Sequence, residues 1–387
     1  MCVNPPAASP TGVGHACLAM AAARSKRLVI LGSALACMFA SVASDAASYQ
    51  VTGPTTPYTW VDISGTGTNV TPALIDDSVS GVIAIGFTFN FGGTNYTQLQ
   101  IGSNGWVFFG TTAAAVYINT TVTTSPVTNV LMPYWDDLNP NGVAGKIKYQ
   151  TLGAAPNRQF VVSYLGVPTY NNTGSNTFQV VLNENGSFLY NYLSTNDQGA
   201  SATIGYNFSA SDLVQFSFNS ASVPNARTLT WTPYPTLTNL KTVAVLSDPV
   251  TGAASPYYIP GALVEYTLLV TNSGVGSSTN DTLSIVDPIP ANTEFFSGNV
   301  SGGAPYLFVG SVAPASGVTC PFTTLNDLTD CIDFSKDSGA TWTYVPNGGY
   351  DPAVTTIRFR PSGRINGDAP LGAPSPNFSL QFRVRVK

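Results

Sequence analysis

The sequence predicts an all-β protein made of two β-sandwich domains in tandem. In several stretches, apolar residues alternate with polar ones at every second position, which is the spacing of a half-buried strand. Turn-forming pairs such as Asn-Gly and Pro-Gly separate these stretches. No window of about 10–12 residues repeats apolar residues at helical spacing. Since each predicted element has one apolar face, two sheets packed face to face would bury those faces.

Residues 1–46 are predicted to be a secretory signal peptide preceded by a leader from an upstream start. Three basic residues precede an apolar run at residues 28–43, and small residues follow it, as in signal peptides. A start at Met20 would fit this layout better than Met1. A lipoprotein with Cys37 as the lipidated residue is an alternative, disfavoured because apolar residues continue past that cysteine. The predicted location is therefore secreted or at the cell surface.

Composition limits the partners of the exported chain. Without the leader, 12 basic residues stand against 19 acidic ones, a net charge of −7, and no basic cluster is present. Nucleic acid and anionic membranes are therefore poor partners. After the leader, no stretch reaches the roughly 18–20 apolar residues that a membrane span needs. The expected partners are an extracellular glycan or protein, or further copies of the chain.

The residue types needed for common catalysis are scarce. The one histidine, His15, lies in the leader, so serine or cysteine triads lack their base and histidine-based zinc sites lack their ligand. With three glutamates, neither spacing nor setting favours a glycosidase carboxylate pair. Cys2, Cys17 and Cys37 also belong to the leader. The remaining pair, Cys320 and Cys331, is expected to form a disulfide in an oxidising compartment. The sequence thus predicts a non-enzymatic protein.

Residues 47–234 are predicted to form the first sandwich, organised around a hairpin in residues 82–110. Gly92-Gly93 is expected to break the first strand, and Asn104-Gly105 to form a two-residue turn before the return strand. The aromatic and aliphatic side chains that alternate here are Phe87, Phe89, Phe91, Leu99, Ile101, Trp106 and Phe108. A second hairpin is predicted in residues 178–192, with Asn185-Gly186 as its turn. Further strand segments are predicted in residues 58–63, 130–141, 146–151, 160–164, 202–208 and 228–231.

These segments also resemble a known domain. The succession FTFNFGGTNYTQLQIGSNGWVFFG, PYWDDLNP, TFQVVLNENG and ATIGYN resembles a nidogen-like extracellular domain of secreted bacterial proteins. The resemblance covers nearly all of residues 49–234. It implies a β-sandwich of matrix or surface proteins and brings no catalytic residues with it.

A second domain is predicted for residues 241–387, after a proline-containing linker at residues 235–240. Val264, Tyr266, Leu268 and Val270 alternate with more polar neighbours, as in a half-buried strand. The pieces PGALVEYTLLVTNSG and DTLSIVDPIPANTEF resemble the conserved repeat of bacterial surface proteins long classed as a domain of unknown function. That resemblance implies an immunoglobulin-like sandwich used as a stalk or spacer.

One acidic segment of the first domain suggests a calcium site. Asp137, Asn139 and Asn141 fit the opening D-x-N-x-N-G of a calcium loop, and Asp136 precedes them. Lys148 occupies the twelfth position and no helices flank the segment, which excludes an EF-hand. Either a looser calcium site forms, or the aspartates hydrogen-bond backbone amides in a turn. No other cofactor is expected.

A second motif lies near the disulfide. Its residues fit the Asp-box pattern S-x-D-x-G-x-T-W through Ser335, Asp337, Gly339 and Trp342. Sialidase-type propellers carry this box in several blades, whereas this sequence has one copy. The predicted role is therefore structural, as a hairpin turn whose hydroxyl and carboxylate groups satisfy turn amides.

Lys241, Glu265 and Asn377 are the residue types of an intramolecular isopeptide bond. Such types are common in any sequence, so ordinary structural roles are the favoured interpretation.

Taken together, these features predict a structural or adhesive protein, with the first domain for interaction and the second as a spacer. Two alternatives remain: a carbohydrate-binding module, and a self-assembling filament or surface-layer subunit that adds a strand at an open sheet edge. Aromatic side chains near loops could stack on sugars. They are Tyr117, Tyr170, Tyr192, Tyr257 and Tyr258.

Overall fold

The computed structural model describes residues 48–55, 58–111, 113–368 and 374–387. The predicted signal peptide, with its three cysteines and its histidine, lies outside these residues. The described chain is all-β, with several separate antiparallel sheets and one short 3₁₀ helix, Val122–Thr124. Within the described ranges, no helix is both long enough and apolar enough to cross a membrane.

The first sandwich consists of strands β1–β13, arranged in a seven-stranded and a six-stranded sheet. The strand order is β1-β13-β10-β9-β8-β7-β2 in sheet 1 and β12-β11-β6-β5-β4-β3 in sheet 2. The strands are β1 Tyr49–Thr55, β2 Thr68–Asn69, β3 Ile83–Phe91, β4 Thr94–Gly102, β5 Trp106–Phe109, β6 Val130–Trp135, β7 Ile147–Leu152, β8 Gln159–Val167, β9 Asn176–Asn183, β10 Phe188–Ser194, β11 Thr203–Ser209, β12 Asp212–Phe218 and β13 Arg227–Pro233.

The two sheets share one aromatic core. Phe91 from sheet 2 packs edge-on against Phe188 and Phe208, and Phe188 stacks on Trp231 at 5.4 Å between ring centroids. All four side chains are buried or partly buried in the same cluster. Burying each large aromatic stabilises the fold by roughly 1.5–3 kcal/mol, so this cluster holds the sheets together.

The predicted hairpin in residues 82–110 is confirmed, with two differences. Gly102 pairs with Trp106, so the turn has three residues rather than two. Val107 and Phe109, not Trp106 and Phe108, face the shared core. Trp106 lies on the opposite face of sheet 2, in a small second cluster with Met132 and Trp135. A one-residue change in the turn reverses which side chains face inward.

The predicted strand at residues 58–63 is wrong. This segment makes no ladder in the structure. The Val61 N–H instead donates to Oε1 of Gln179 at 3.0 Å, and the Val61 carbonyl accepts from Nε2 at 3.1 Å. Asn191 donates to the carbonyl of Thr59 at 3.0 Å. The side-chain amides of Gln179 and Asn191 on sheet 1 thus make the backbone hydrogen bonds that a neighbouring strand would otherwise make.

The second sandwich consists of strands β14–β24. Sheet 3 has the order β14-β15-β24-β17-β21, with β18 also paired to β24; sheet 4 has the order β16-β22-β20; β19 and β23 form a small ribbon. The strands are β14 Leu237–Ser247, β15 Leu263–Asn272, β16 Ile285–Pro288, β17 Thr293–Phe296, β18 Tyr306–Gly310, β19 Val318–Thr319, β20 Ile332–Ser335, β21 Tyr350–Asp351, β22 Thr356–Phe359, β23 Ser362–Gly363 and β24 Asn377–Val386.

A separate core lies between sheets 3 and 4. Leu268 and Val270 of β15, with Phe382 of β24, belong to the same buried cluster as Ile357 and Phe359 of β22. The segment predicted as a linker, residues 235–240, is mostly strand, because β14 begins at Leu237 and pairs along its whole length with β15. The alternating apolar residues of β15 provide the partner that draws this segment into the sheet.

Candidate functional site

The chemically distinctive part of the first sandwich is a cluster of three carboxylates. Asp137 is the second residue after the end of β6, and Asp76 and Asp77 lie in the loop before β3. One carboxylate oxygen of each residue lies within 4.8 Å of the others. Asp77 has a φ of 47°, in the left-handed region that aspartate tolerates better than most residues. We call Asp76, Asp77 and Asp137 the acidic cluster.

Asn104 holds the two loops of the acidic cluster together. Its side chain is 1% exposed, its Nδ2 donates to Asp77 Oδ1 at 2.9 Å, and its Oδ1 accepts from the Leu138 N–H at 2.9 Å. The next residue, Gly105, has a φ of 75°, and a Cβ there would lie 1.9 Å from the Tyr134 carbonyl oxygen. The local sequence around Asn104 predicts only a turn, since its proximity to Asp77 depends on tertiary packing.

The carboxylates of the acidic cluster have few hydrogen-bond partners and no ion pair among the described residues. The Oδ1 atoms of Asp76 and Asp137 are buried and have no hydrogen-bond partner. Burial raises the pKa of Asp76, and the charge of Asp77 raises it further. Burial also raises the pKa of Asp137, with added repulsion from Asp77, Asp76 and Asp136. An oxygen-only donor set of this kind suits Ca²⁺ among common metal ions, and these three residues are the ones that could hold it.

The structure does not bring the four predicted calcium ligands together. Of these four, Asp137 belongs to the acidic cluster. The Oδ1 of Asn139 accepts the Asn141 N–H at 2.8 Å, which closes a local turn. Asn141 has a φ of 58° and donates from Nδ2 to Asn172 at 2.7 Å. The spacing predicted one loop, whereas the partners of Asp137 come from a segment about sixty residues earlier.

The fourth predicted ligand, Asp136, belongs to a different network. Its Oδ1 accepts the Asp137 N–H at 2.9 Å, and its Oδ2 accepts from the Ser201 hydroxyl at 2.6 Å. The same hydroxyl lies 2.7 Å from Oδ2 of Asp197, whose other oxygen accepts from Tyr134. Burial raises the pKa of Asp136. Burial also acts to raise the pKa of Asp197, but hydrogen bonds from Tyr134 and Ser201 lower it overall. Because the pKa of Asp136 is raised and that of Asp197 is lowered, Asp136 is the first of the two carboxylates to take up a proton as the pH falls.

In the second sandwich, the disulfide and the Asp-box lie at and beside β20. Cys320 and Cys331 are joined by a disulfide. The Ser335 hydroxyl donates to Asp337 Oδ1 at 2.6 Å, and the Gly339 N–H donates to that hydroxyl at 2.8 Å. Hydrogen bonds from Ser335 and Thr341 lower the pKa of Asp337 to about 2. The box therefore acts as a self-satisfied turn.

The tyrosines considered for sugar stacking do not form one surface. Tyr192 is fully buried, and its hydroxyl donates to the Pro133 carbonyl at 2.7 Å. Its alternation in β10 directs it into the core, as with Phe188 and Tyr190. The other four are exposed: Tyr117, Tyr170, Tyr257 and Tyr258. Of these, Tyr257 and Tyr258 are neighbours, in the turn region between β14 and β15.

The comparisons with known proteins bear on the first sandwich. A family model described as NIDO related matches residues 48–252, which is more than half of the chain. No curated protein and no solved structure matches the chain. The match ends soon after β14, so the resemblance of the second sandwich to a bacterial surface repeat stays a prediction. The chain belongs to the NIDO-related family, as the nidogen-like resemblance of its first domain predicts.

Proposed function

We propose that this protein is an extracellular structural or adhesive protein, in which the first sandwich makes the interactions and the second serves as a spacer. The family match over residues 48–252 carries the proposal, because nidogen-related domains suggest an extracellular protein of this type. The domain division at residues 234–241 stays part of the proposal. Catalysis is not part of it.

The surface chemistry of the chain supports this role. Charged residues make up 9% of the sequence, and aromatic side chains such as Tyr117 and Tyr170 are exposed on loops. Polar uncharged surfaces with scattered aromatics can contact glycans or proteins without strong long-range electrostatic repulsion. The adjacent, exposed Tyr257 and Tyr258 favour the carbohydrate-binding alternative at one particular position.

A binding and localisation experiment tests the proposal. The producing cells are fractionated and probed for the chain, and the purified protein is screened on a glycan array and on immobilised matrix proteins. We expect the chain in the extracellular or surface fraction, with binding to at least one immobilised partner. Selective micromolar binding to one sugar class, lost in Tyr257→Ala, would favour a carbohydrate-binding module. Retention in the cytoplasm, or turnover of a substrate lost on changing one carboxylate, would overturn the proposal.

Self-association is the second candidate function, because of the edge strand β14. This strand has 11 residues, pairs on one side with β15, and carries Lys241 as its one charged residue. Leu237, Leu240 and Val243 are exposed along it, with Leu240 48% exposed. Edge strands usually carry charges, prolines or bulges that prevent pairing with another chain. A second copy of β14, equally poor in charge, could pair with it antiparallel.

The mass in solution separates this candidate from a monomeric adhesin. Light scattering after size exclusion, over a range of concentrations, is expected to show dimers for the wild type and monomers for Leu240→Lys. Val250→Lys places the same charge on an exposed residue outside the strand and should leave the dimers intact. A wild type that stays monomeric at the highest concentration would rule this candidate out.

A further inference from the structure

The most unusual polar contact in the second sandwich joins its two main sheets. Lys241 lies on β14, at one edge of sheet 3, and Asp287 lies on β16, at one edge of sheet 4. The Lys241 Nζ is 2.6 Å from Asp287 Oδ1. The Asp287 side chain is 6% exposed, so the carboxylate belongs to the interior rather than to the surface.

The surroundings of this pair are aromatic. The Lys241 Nζ lies 4.4 Å from the centroid of the Tyr266 ring and 5.7 Å from that of Phe382. The Oδ2 atom of Asp287 is buried and accepts no hydrogen bond. A buried carboxylate oxygen without a partner is expensive, and apolar surroundings favour the neutral form of an acid over the carboxylate. Burial accordingly raises the pKa of Asp287, against the opposing effect of Lys241.

The other residue types noted in the sequence do not meet Lys241. Glu265 accepts from Arg383 Nε at 3.0 Å and alternates with the core-facing residues of β15. Asn377 donates from Nδ2 to the Ser375 carbonyl at 2.9 Å. The acid that faces the lysine is instead Asp287, on β16, 46 residues further along the chain.

We propose that Lys241 and Asp287 condense to a side-chain amide, an intramolecular isopeptide bond that ties sheet 3 to sheet 4. The ammonium first transfers one proton to the carboxylate across the existing hydrogen bond. The neutral amine then attacks Cγ, a C–N bond forms, and one carboxyl oxygen leaves as water with two of the three ammonium protons. Atoms and charge balance without any added reactant, because the pair is neutral overall before and after the step.

The geometry makes this condensation feasible where it would fail in free solution. Lys241 lies in the long ladder between β14 and β15, Asp287 lies in the four-residue ladder between β16 and β22, and both sheets pack on a shared core. Well-oriented intramolecular reactions reach effective concentrations of roughly 10⁵–10⁸ M.

Mass spectrometry of the intact wild-type protein tests the proposal. After reduction of the disulfide and assignment of the N-terminus, the expected mass is about 18 Da below that of the sequence, one water lost. Tandem spectra of a digest should contain one branched peptide joining the segments around Lys241 and Asp287. A mass equal to the sequence mass, or a branch between two other residues, would overturn the proposal.

Two variants and a matched control assign the bond. Lys241→Met and Asp287→Ala should each have the full sequence mass, and denatured samples should migrate differently from wild type because the 46-residue separation is no longer closed into a loop. Lys336→Met is the control, since the Lys336 Nζ also lies over an aromatic ring, 5.6 Å from that of Tyr344. It should keep the water loss. Retention of the loss in Lys241→Met would contradict the assignment. The result does not depend on what the first sandwich binds.

Discussion

The two sandwiches use different interactions to hold their sheets together. The first has sheets of seven and six strands around a continuous aromatic core. The second pairs a six-stranded sheet with one of only three strands. Of the six ion pairs among the described residues, five lie in the second sandwich, as does the disulfide. A smaller core buries less apolar surface per residue, so covalent and ionic links contribute a larger share of its stability.

Two buried acids of the second sandwich have cationic partners, whereas others there, Asp248, Asp330 and Asp351, accept backbone N–H groups instead. In the second, Asp287 and Asp333 face a lysine or arginines. In the first, Asp136 and the acidic cluster have no ion pair within the described residues. We therefore expect the stability of the first sandwich to depend on pH and on added cations. The stability of the second should depend on its disulfide and its ion pairs.

The largest expected effect is the loss of an aromatic side chain from the first core. Trp231→Ala should destabilise the first sandwich by roughly 3–5 kcal/mol, because the vacated volume lies among Phe188, Tyr190 and Tyr206 and cannot be filled. Hydrogen exchange during urea titration is expected to show earlier loss of protection in β8–β13 than in β15 and β24. The exposed Tyr257→Ala is the control. Equal loss in both sandwiches would mean that they unfold as one unit.

Removing the disulfide should affect the second sandwich alone. Replacing both Cys320 and Cys331 by serine opens a loop with a sequence separation of 11 and should lower the stability by roughly 2–3 kcal/mol. The midpoint of urea unfolding, read from second-sandwich peptides by hydrogen exchange, measures the change. Reductant should shift the wild-type midpoint by the same amount and leave the double variant unchanged. A shift confined to the first sandwich would contradict the comparison.

Calcium should stabilise the first sandwich if the acidic cluster holds it. At ten times the dissociation constant, a bound ion adds roughly 1.4 kcal/mol. Melting curves with calcium and with a chelator should therefore differ for wild type and for Asp62→Ala, an exposed acid outside the cluster. Asp137→Ala should remove the difference. An unchanged wild-type melting curve at millimolar calcium would contradict the calcium site and favour aspartates that only hydrogen-bond backbone amides in a turn.

The smallest expected effect is the pH dependence that Asp136 contributes. Its pKa is raised in the folded state by burial, so the protonated form stabilises the fold. This stabilising contribution is fully present at a pH below the pKa of Asp136 in the unfolded chain. It is lost as the pH rises through the pKa of Asp136 in the folded protein. Asp136→Asn should therefore reduce the gain in melting temperature on acidification from pH 7. Asp62→Asn should act in the opposite direction, because hydrogen bonds from Ser64 lower the pKa of Asp62. A pH profile unchanged in Asp136→Asn would contradict this assignment.

Strands with strong alternation were predictable, including β3 at the edge of sheet 2, and weakly alternating edge strands were not. The strands β9, β10 and β15 alternate strongly because both neighbours and one face constrain them. The edge strands β1 and β12 were missed, since their side chains are half-exposed and their alternation is weak. Residues 58–63 alternate like a strand but pair with side-chain amides instead.

The candidate sites were predictable where their residues are close in the sequence. The Asp-box forms its turn within seven residues, and its side chains satisfy each other locally. The acidic cluster was found only through Asp137, because Asp76 and Asp77 reach it through packing held by Asn104. Likewise, the partner of Lys241 is set by which strands form the opposing edges of sheets 3 and 4.

The amino-acid sequence was enough to predict the all-β class, the central hairpins, the cysteine pair and the family to which the first domain belongs. These follow from alternation, turn chemistry and short motifs, which act over a few neighbouring residues. The tertiary structure alone decided which acids meet, which tyrosines are buried and which lysine faces a buried carboxylate. Those contacts join segments far apart in the chain, and their distances depend on how the sheets pair and pack rather than on any local spacing.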